Sequence, residues 1–476
     1  MSATVKDRYR HPEADGPRSS GTDSSRRKHV TFEKSTWWSV LRPWASPAVV
    51  ALATWLSIVA CLDPGGSYPT FPEGPGLTVD EIFNVQQGVL QVGLFNPLVP
   101  EAAYAHPQYL PDHPPLGRYW LGVHHHVTWW LAPPDEPDGP FVVACARTGS
   151  ATAFALTILL VGGCASLWYG RLAGPMAALA LALLPRAYGH AHLAALETCM
   201  GLAFAAAVLS VAHMWANEPP AWRTAAWTGA LFGLALLTKI QAVFIPIPLA
   251  VWALHRWRRR AWRPLLIWGG VAFLVFFVGW PWLWLDPIGH LREYFAGTAN
   301  RVELSVWLFG TQYTDRTVPR YYAVLMLFWT VPRKMLVLWL LGLMRKLPRR
   351  SLLKYVLSGL WLPSRRNPAA ASDSEGTRTE ATEPPWLPWT PRDTLLLMQL
   401  AFPFAVFSLP GVPVYDMERL WLPAMPLLAV LAGRGAQMMR TRLGSLRLGG
   451  VPVVTPLMLG LMLWQVTSLM GIHPCY

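Results

Sequence analysis

The chain has 476 residues, of which 53% are hydrophobic and only 14% are charged, whereas a soluble domain usually carries about 25% charged residues. This deficit excludes an ordinary soluble globular protein and indicates a membrane protein that crosses the bilayer many times. The formal net charge is +13, but the basic residues form short clusters between apolar runs, so we attribute them to membrane topology rather than to nucleic-acid binding.

The apolar runs divide the chain into a tail and a membrane domain. Residues 1–44 are polar and basic, contain no cleavable signal peptide, and predict a disordered cytoplasmic tail. Residues 45–476 predict an all-α polytopic membrane domain with about eleven transmembrane helices, because a spanning helix needs about 20 mostly apolar residues. The predicted spans are 46–62, 143–169, 172–189, 194–215, 224–239, 241–256, 264–284, 321–344, 394–409, 418–433 and 451–470.

The charges between these spans predict the topology. Basic clusters occupy every second gap, and the acidic residues occupy the gaps between them. Because cytoplasmic loops carry an excess of Lys and Arg, we expect the N-terminus and loop 345–393 to be cytoplasmic. The two long loops, 63–142 and 285–320, then lie on the outer side, and loops of this length are more often functional than plain connectors.

The first outer loop carries an acidic pair, Asp80-Glu81, at the start of a segment with helical spacing of apolar residues. Residues 79–92 predict an amphipathic helix lying on the membrane surface, and residues 115–132 predict a second interfacial helix. Two interpretations of the pair stay open at this point. Acids stabilise the first turn of a helix, whereas ionisable groups at a lipid boundary are costly and are commonly functional.

Further motifs follow this pair in a fixed order along the chain. They are His113-Pro114-Pro115-Leu116, Arg147-Thr148-Gly149-Ser150, Leu196-Glu197, Thr238-Lys239 and Glu418-Arg419. With this order and topology, the chain resembles the membrane glycosyltransferases of the GT-C type, which take sugars from polyprenyl-phosphate carriers. The protein O-mannosyltransferases and the lipid A aminoarabinose transferases are examples. The family commonly has Asp where this chain has Glu197.

The resemblance implies a function and a location. It implies a GT-C-like fold and an integral membrane glycosyltransferase that moves a sugar, by direct inverting transfer, from a polyprenyl-phosphate carrier to a protein, lipid or glycan acceptor. It also implies the bacterial inner membrane, with the active site on the outer, periplasmic face. We expect no cofactor, no metal and no nucleic-acid partner. Two alternatives remain, a polytopic transporter and another polyprenyl-linked glycan ligase.

The resemblance also assigns site residues. Asp80 matches the family's acidic position and is the expected catalytic base, with Glu81 orienting the acceptor or the base. Lys239 and Arg419 are expected to bind the donor phosphate, although anchoring at the membrane interface would also explain both. The other expected substrate contacts are His113, Arg118, Arg147 and Glu197, together with Tyr313, Arg316 and Arg320 on a lid in the second outer loop. Two alternatives stay open here: Glu197 could instead form a structural ion pair with Lys239 or Arg147, and His113 could serve only to pack the loop.

The histidines and cysteines do not predict a metal site. The run 124–126 places three consecutive histidines on a predicted helix, where their side chains point in different directions. His190 and His192 lie two residues apart, not at the spacing of three or four that shares a helical face. The five cysteines have no paired spacing.

Overall fold

The computed structural model describes residues 37–62, 77–96, 98–134, 141–299, 303–344, 387–444, 446–448 and 451–472. The site described below lies within the compact unit that begins at Leu41. Most of the predicted tail, 1–44, and most of the predicted cytoplasmic loop, 345–393, lie outside the described residues. Their assignments stay predictions.

The described chain is predominantly helical. In its first half the helices are α1 (Trp37–Ala60), α2 (Val79–Gly93), α3 (Pro115–Leu131), α4 (Val143–Tyr169), α5 (Ala173–Ala182), α6 (Pro185–His190), α7 (Leu196–Met214), α8 (Trp222–Thr238), α9 (Pro246–Trp257) and α10 (Trp262–Val278). In its second half they are α11 (Trp282–Leu285), α12 (Pro287–Ala299), α13 (Tyr322–Thr330), α14 (Arg333–Leu343), α15 (Pro391–Phe407), α16 (Met425–Leu443) and α17 (Val454–Ile472).

Two short hairpins accompany the helices. Strands β1 (Ser305–Leu308) and β2 (Thr311–Thr314) pair antiparallel, with Val306 opposite Tyr313. Strands β3 (Arg447–Leu448) and β4 (Val451–Pro452) pair in the same way. The predicted outer loop 285–320 therefore contains a helix, α12, and a hairpin.

Each predicted span overlaps at least one helix, but the bounds and lengths differ, and in span 418–433 the helix begins only at Met425. Within the described ranges, four segments are long and apolar enough to cross a membrane: Leu41–Ala60, Val143–Tyr169, Leu196–Met214 and Ile240–Val278. A fifth is obtained if α13 and α14 form one broken span; the chain bends by 114° between these two helices. Prolines explain the shorter pieces, because Pro cannot continue a helix without losing a backbone hydrogen bond. The count of eleven spans stays a prediction.

The helical core depends on small residues. Helices α4, α5, α7 and α16 pack together, and their buried faces are rich in alanine. Between α14 and α16, a Cβ atom on Gly342 or Gly435 would overlap a backbone carbonyl of the other helix. Close backbone approach of this kind is how helices gain packing energy in lipid, where apolar side chains gain little from leaving the solvent.

Helix α2 lies where the sequence predicts it, and its polar side faces the protein. Glu81, Asn84 and Gln87 are buried, whereas Val79 and Phe83 are exposed. Two of the buried amides have partners: Gln87 Nε2 donates to the carbonyl of Gln108 at 2.8 Å, and Asn84 Oδ1 accepts from Arg118. The apolar side is thus left to face outward, which suits a helix lying against lipid.

Helix α2 packs directly on α3 through two glycines. A Cβ atom on Gly122 would overlap the carbonyl oxygen of Gly88, and one on Gly88 would overlap the carbonyl oxygen of Arg118. The two backbones therefore touch, and no side chain separates them. Since Asp80 lies in the first turn of α2, this contact helps to fix its position.

We predict that Gly122→Ala separates α2 from α3 and destabilises the protein by about 1–3 kcal/mol, the usual cost of overpacking. Thermal unfolding in detergent measures the effect. Gly93→Ala is the matched control, because a Cβ atom at Gly93 meets nothing within 4 Å. Equal melting temperatures for the two variants would contradict the direct backbone contact.

Candidate functional site

Four ionisable residues from distant parts of the chain meet in one cluster. Arg419 donates from Nε to Glu197 Oε1 at 2.6 Å and from Nη2 to Asp80 Oδ2. Lys239 Nζ lies 2.7 Å from the same oxygen of Glu197. The sequence prediction named all four residues, and the structure joins them through Glu197 and Arg419. Arg419 also contacts Asp416, a residue the sequence analysis did not select, with 3.2 Å between Nη1 and Oδ2.

Local structure explains how each side chain reaches the cluster. Glu197 is in the first turn of α7, where the helix dipole favours a negative charge. Lys239 follows the last residue of α8 in an extended conformation (φ −163°), so it leaves the helix axis. Arg419 lies in a tight turn, in which its backbone N–H donates to the carbonyl of Asp416 at 3.1 Å.

The turn before Arg419 is strained. Asp416 and Met417 both have φ of 52°, the left-handed region that non-glycine residues rarely adopt. Such conformations cost on the order of 1–3 kcal/mol each and occur preferentially at functional sites. Glu418, next in the chain, is buried and pairs with Arg186. The ion pair between Glu418 and Arg186 holds the strained turn against the start of α6.

The cluster is buried at one side and open at the other. The Glu197 side chain is 1% exposed and that of Lys239 is 9% exposed, whereas Arg419 is 23% exposed and Asp80 is 46% exposed. Burial lowers the pKa of Arg419, but Glu197 and Asp80 raise that pKa by more, so the guanidinium stays charged. A substrate would therefore approach from the Asp80 side.

Glu81 and Arg147 form a separate, fully buried pair. Arg147 donates from Nε to Glu81 Oε1 at 2.8 Å and from Nη2 to Oε2 at 3.1 Å. The backbone N–H groups of Thr78 and Ala194 also donate to this carboxylate, at 3.0 Å and 2.7 Å. The pair ties the first turn of α2 to α4 and to the segment before α7. It positions Asp80, and its burial disfavours the predicted contacts of Glu81 and Arg147 with substrate.

Arg118 is buried as well. It donates to the carbonyl of Leu110 at 2.8 Å and pairs with Asp112 at 2.8 Å, so it holds the loop before α3 on α2. This arrangement disfavours the predicted contact of Arg118 with acceptor or phosphate, because the N–H groups of its guanidinium already donate hydrogen bonds within the protein.

His113 remains available at the edge of the site. Its side chain is 31% exposed, and its Nδ1 lies 2.9 Å from Asp112 Oδ2. Burial raises the pKa of Asp112, but the hydrogen bond with His113 and the charge of Arg118 bring it down to about 2. Burial and the positive charges of Arg118 and Lys239 lower the pKa of His113, although Asp112 opposes them. A neutral imidazole beside Lys239 is therefore expected at neutral pH.

The predicted lid residues lie on the β1–β2 hairpin and just after it, outside the ion-pair cluster. Tyr313 is half-buried, Arg316 is exposed and lies 3.9 Å from Glu303, and Arg320 is exposed. The hairpin connects to the site through the backbone, because Val414 N–H donates to the carbonyl of Asp315 at 2.8 Å. Movement of the hairpin would thus reach the turn that carries Arg419. The lid role stays a prediction.

An apolar groove lies between α3, α8 and α10 and has a volume of about 530 Å³. Its lining residues are almost all apolar: Pro115, Leu116, Tyr119, Leu234, Leu237, Leu274, Val275, Val278 and Gly279. Leu237 is two residues before Lys239, so the last turn of α8 lines the groove and the residue that follows this helix belongs to the ion-pair cluster.

Metal ligands are not grouped anywhere in the described part of the chain. No three His, Cys, Asp or Glu side chains there lie close enough to hold one ion. His125 Nε2 instead accepts from the backbone N–H of Val142 at 3.0 Å, and His192 Nδ1 lies 2.9 Å from the carbonyl of Tyr188. Independence from metal stays a prediction.

Comparisons with known proteins agree with this architecture. The sequence profile of the dolichyl-phosphate-mannose-protein mannosyltransferase family matches residues 141–284, the region that carries Arg147, Glu197 and Lys239. Crystal structures of ArnT from Cupriavidus metallidurans superpose on the chain with TM-scores of 0.51 for the complex with undecaprenyl phosphate and 0.52 for the apo state. The chain shares the fold of these ArnT structures.

The fold is shared although the sequences have diverged. Identity to the two ArnT structures is 15% and 16%, and the superposition covers 92% of this chain and 70% or 71% of ArnT. No curated protein matches the chain closely enough to count as a relative. The GT-C resemblance inferred from the motifs is confirmed. The membrane character inferred from composition agrees with the matched family and with the apolar helices of this chain.

The two neighbouring acids of α2 differ in what they contribute. We predict that Glu81→Gln lowers the free energy of unfolding by about 3–5 kcal/mol, because it leaves the buried charge of Arg147 without an ionised partner. Asp80→Asn, one residue away, should cost no more than about 1 kcal/mol, because Asp80 is half exposed. Thermal unfolding of both variants in detergent tests the difference, and similar losses would contradict it.

Proposed function

We propose that the protein is an integral membrane glycosyltransferase that moves a sugar from a polyprenyl-phosphate carrier to an acceptor on the outer face of the membrane. The observation that supports this most strongly is the half-exposed carboxylate of Asp80 on Arg419, with Lys239 bound to the same Glu197 as Arg419 and an apolar groove lined by α8, the helix that precedes Lys239. A lipid phosphate and a reactive sugar carbon need these three features together. The acceptor is a protein, a lipid or a glycan, as in the enzymes that the motifs resemble.

The cations suit the phosphate leaving group. In the donor, the phosphate joins sugar and lipid as a diester with one negative charge. When the bond between the sugar C1 and the phosphate oxygen breaks, the electron pair stays on that oxygen and the charge on the phosphate increases. Arg419 and Lys239 attract the phosphate more strongly at that point than in the ground state, which is the condition for a rate enhancement.

Asp80 is the proposed base. The acceptor nucleophile attacks C1 from the side opposite the phosphate, the new bond forms with inversion, and the acceptor proton passes to the carboxylate of Asp80. The released carrier is a polyprenyl phosphate. Glu197 remains ionised beneath the two cations and holds them near the reacting centre.

We propose that the apolar groove binds the polyprenyl chain of the carrier. Isoprene units offer only apolar surface, and the groove lining is apolar over nearly its whole length. ArnT from Cupriavidus metallidurans has been crystallised with undecaprenyl phosphate, and its likeness to this chain supports a carrier of the same class. We place the protein in the bacterial inner membrane, with a cytoplasmic N-terminus, on the basis of the charge pattern of its loops.

We predict that Asp80→Asn lowers the rate of transfer by about 10²–10⁴-fold, the usual contribution of a general base. The assay follows polyprenyl phosphate released from short-chain polyprenyl-phosphate sugars by the purified protein, with lipid and protein acceptors present. Glu303→Gln, which removes an exposed carboxylate at the start of the hairpin, is the control and should leave the rate unchanged.

Two outcomes of this assay would reject the proposal. If no donor yields polyprenyl phosphate, the proposal that the protein is a glycosyltransferase is rejected. If Asp80→Asn releases polyprenyl phosphate at the wild-type rate, the assignment of Asp80 as the base is rejected. Substrate exchange across vesicles that persists in Asp80→Asn would instead favour a transporter.

We also predict that Leu274→Trp obstructs the groove. Leu274 lines the groove, so the larger side chain should raise KM several-fold for a long-chain donor and less for a short-chain donor that does not fill the groove. Leu266→Trp is the matched control, because Leu266 lies on the same helix, is exposed and does not line the groove. An equal effect on both donors would show that the chain binds elsewhere.

A further inference from the structure

Arg419 contacts a different carboxylate with each of its three nitrogens. Nε contacts Glu197, Nη1 contacts Asp416 and Nη2 contacts Asp80. We propose that Asp80 and Asp416 occupy the phosphate-binding edge of Arg419 until a donor phosphate displaces both of them, so that Asp80 becomes available as a base only when the donor is bound. This inference rests on the proposed function, and it assigns Asp416 as a positioning residue.

The charges of the cluster make a displacement necessary. Asp80, Glu197 and Asp416 supply three negative charges, and Lys239 and Arg419 supply two positive charges. A phosphate added to this set would meet an excess of negative charge. It binds favourably only if carboxylates leave the cations that it contacts.

The exposed fractions show which carboxylates leave. Glu197 is 1% exposed and is held by both cations, so its removal would leave a buried charge without compensation. Asp80 and Asp416 are 46% and 50% exposed, and water can solvate both once they leave Arg419. Ion pairs of such exposed groups are weak.

The geometry of the guanidinium favours the same edge. Nη1 and Nη2 form one side of a planar fork that matches two oxygens of a phosphate. Asp416 and Asp80 contact these two nitrogens. The buried Glu197 contacts Nε instead and holds the guanidinium in a fixed orientation. Asp416 is well suited to a reversible role, because its turn is strained and it lies three residues before Arg419.

The displacement has a consequence for the order of events. While Asp80 is paired with Arg419, its Oδ2 atom faces the guanidinium and is not directed at an acceptor. Once the phosphate takes Nη2, this oxygen is released and can accept the proton of an acceptor. Proton removal from an acceptor is thereby coupled to the presence of the donor, which suppresses reaction with an acceptor that arrives first.

The test measures the affinity of the full-length protein for undecaprenyl phosphate in lipid nanodiscs. If the carboxylates compete with phosphate, Asp416→Asn and Asp80→Asn should each lower Kd by roughly two- to fivefold, the range expected for loss of one exposed ion pair. The double variant should bind more tightly than either single one. Glu303→Gln, with the same change in net charge, should bind like the wild type.

The outcomes separate this inference from the proposed function. An unchanged or increased Kd in both single variants would overturn the competition, because a purely structural role for Asp416 cannot tighten binding. The proposed function would still stand if the wild type binds the carrier phosphate. Absence of binding by the wild type would overturn the proposed function and this inference together. Asp80→Asn keeps the test decisive should Asp416→Asn fail to fold.

Discussion

A buried carboxylate that holds two cations organises the candidate site. Glu197 is nearly inaccessible to water, and a lone charge at such a position would be very costly. Lys239 and Arg419 compensate for it, and each comes from a segment that has just left a helix or lies in a turn. Because the pairing is buried, it fixes the direction of both cations before any substrate is present.

The first outer loop depends on the same principle. Helix α2 buries Glu81, Asn84, Gln87 and Gln91, whereas Val79, Ile82 and Phe83 are exposed. Glu81 with Arg147 and Arg118 with Asp112 bind the loop to the helices beneath it. A polar underside and an apolar outer side are what a segment needs when it lies between a charged site and lipid. Asp80, the proposed base, lies in the first turn of α2 and contacts Arg419.

The site combines rigid and adaptable parts. The fully buried pair of Glu81 with Arg147 and the glycine contact between α2 and α3 allow little movement. By contrast, Asp80 and Asp416 are half exposed, and the turn that carries Arg419 is strained at two consecutive residues. Rigid elements that carry a few exposed, exchangeable ion pairs allow a charged ligand to enter without rearrangement of the fold.

The sequence by itself determined the helices and the main members of the site. Apolar length and charge alternation are local properties, so every predicted span overlaps a helix, and the motif order was enough to select Asp80, Glu197, Lys239 and Arg419. Only the tertiary structure decided how these residues pair. Glu81 lies 66 residues from Arg147, and Arg419 lies 339 residues from Asp80, and no local pattern records which distant charges meet. The same reason explains why the sequence analysis did not select Asp416 and could not show that Arg118 and Arg147 are buried: whether a charge faces a ligand or a buried partner depends on packing, which sequence spacing does not contain.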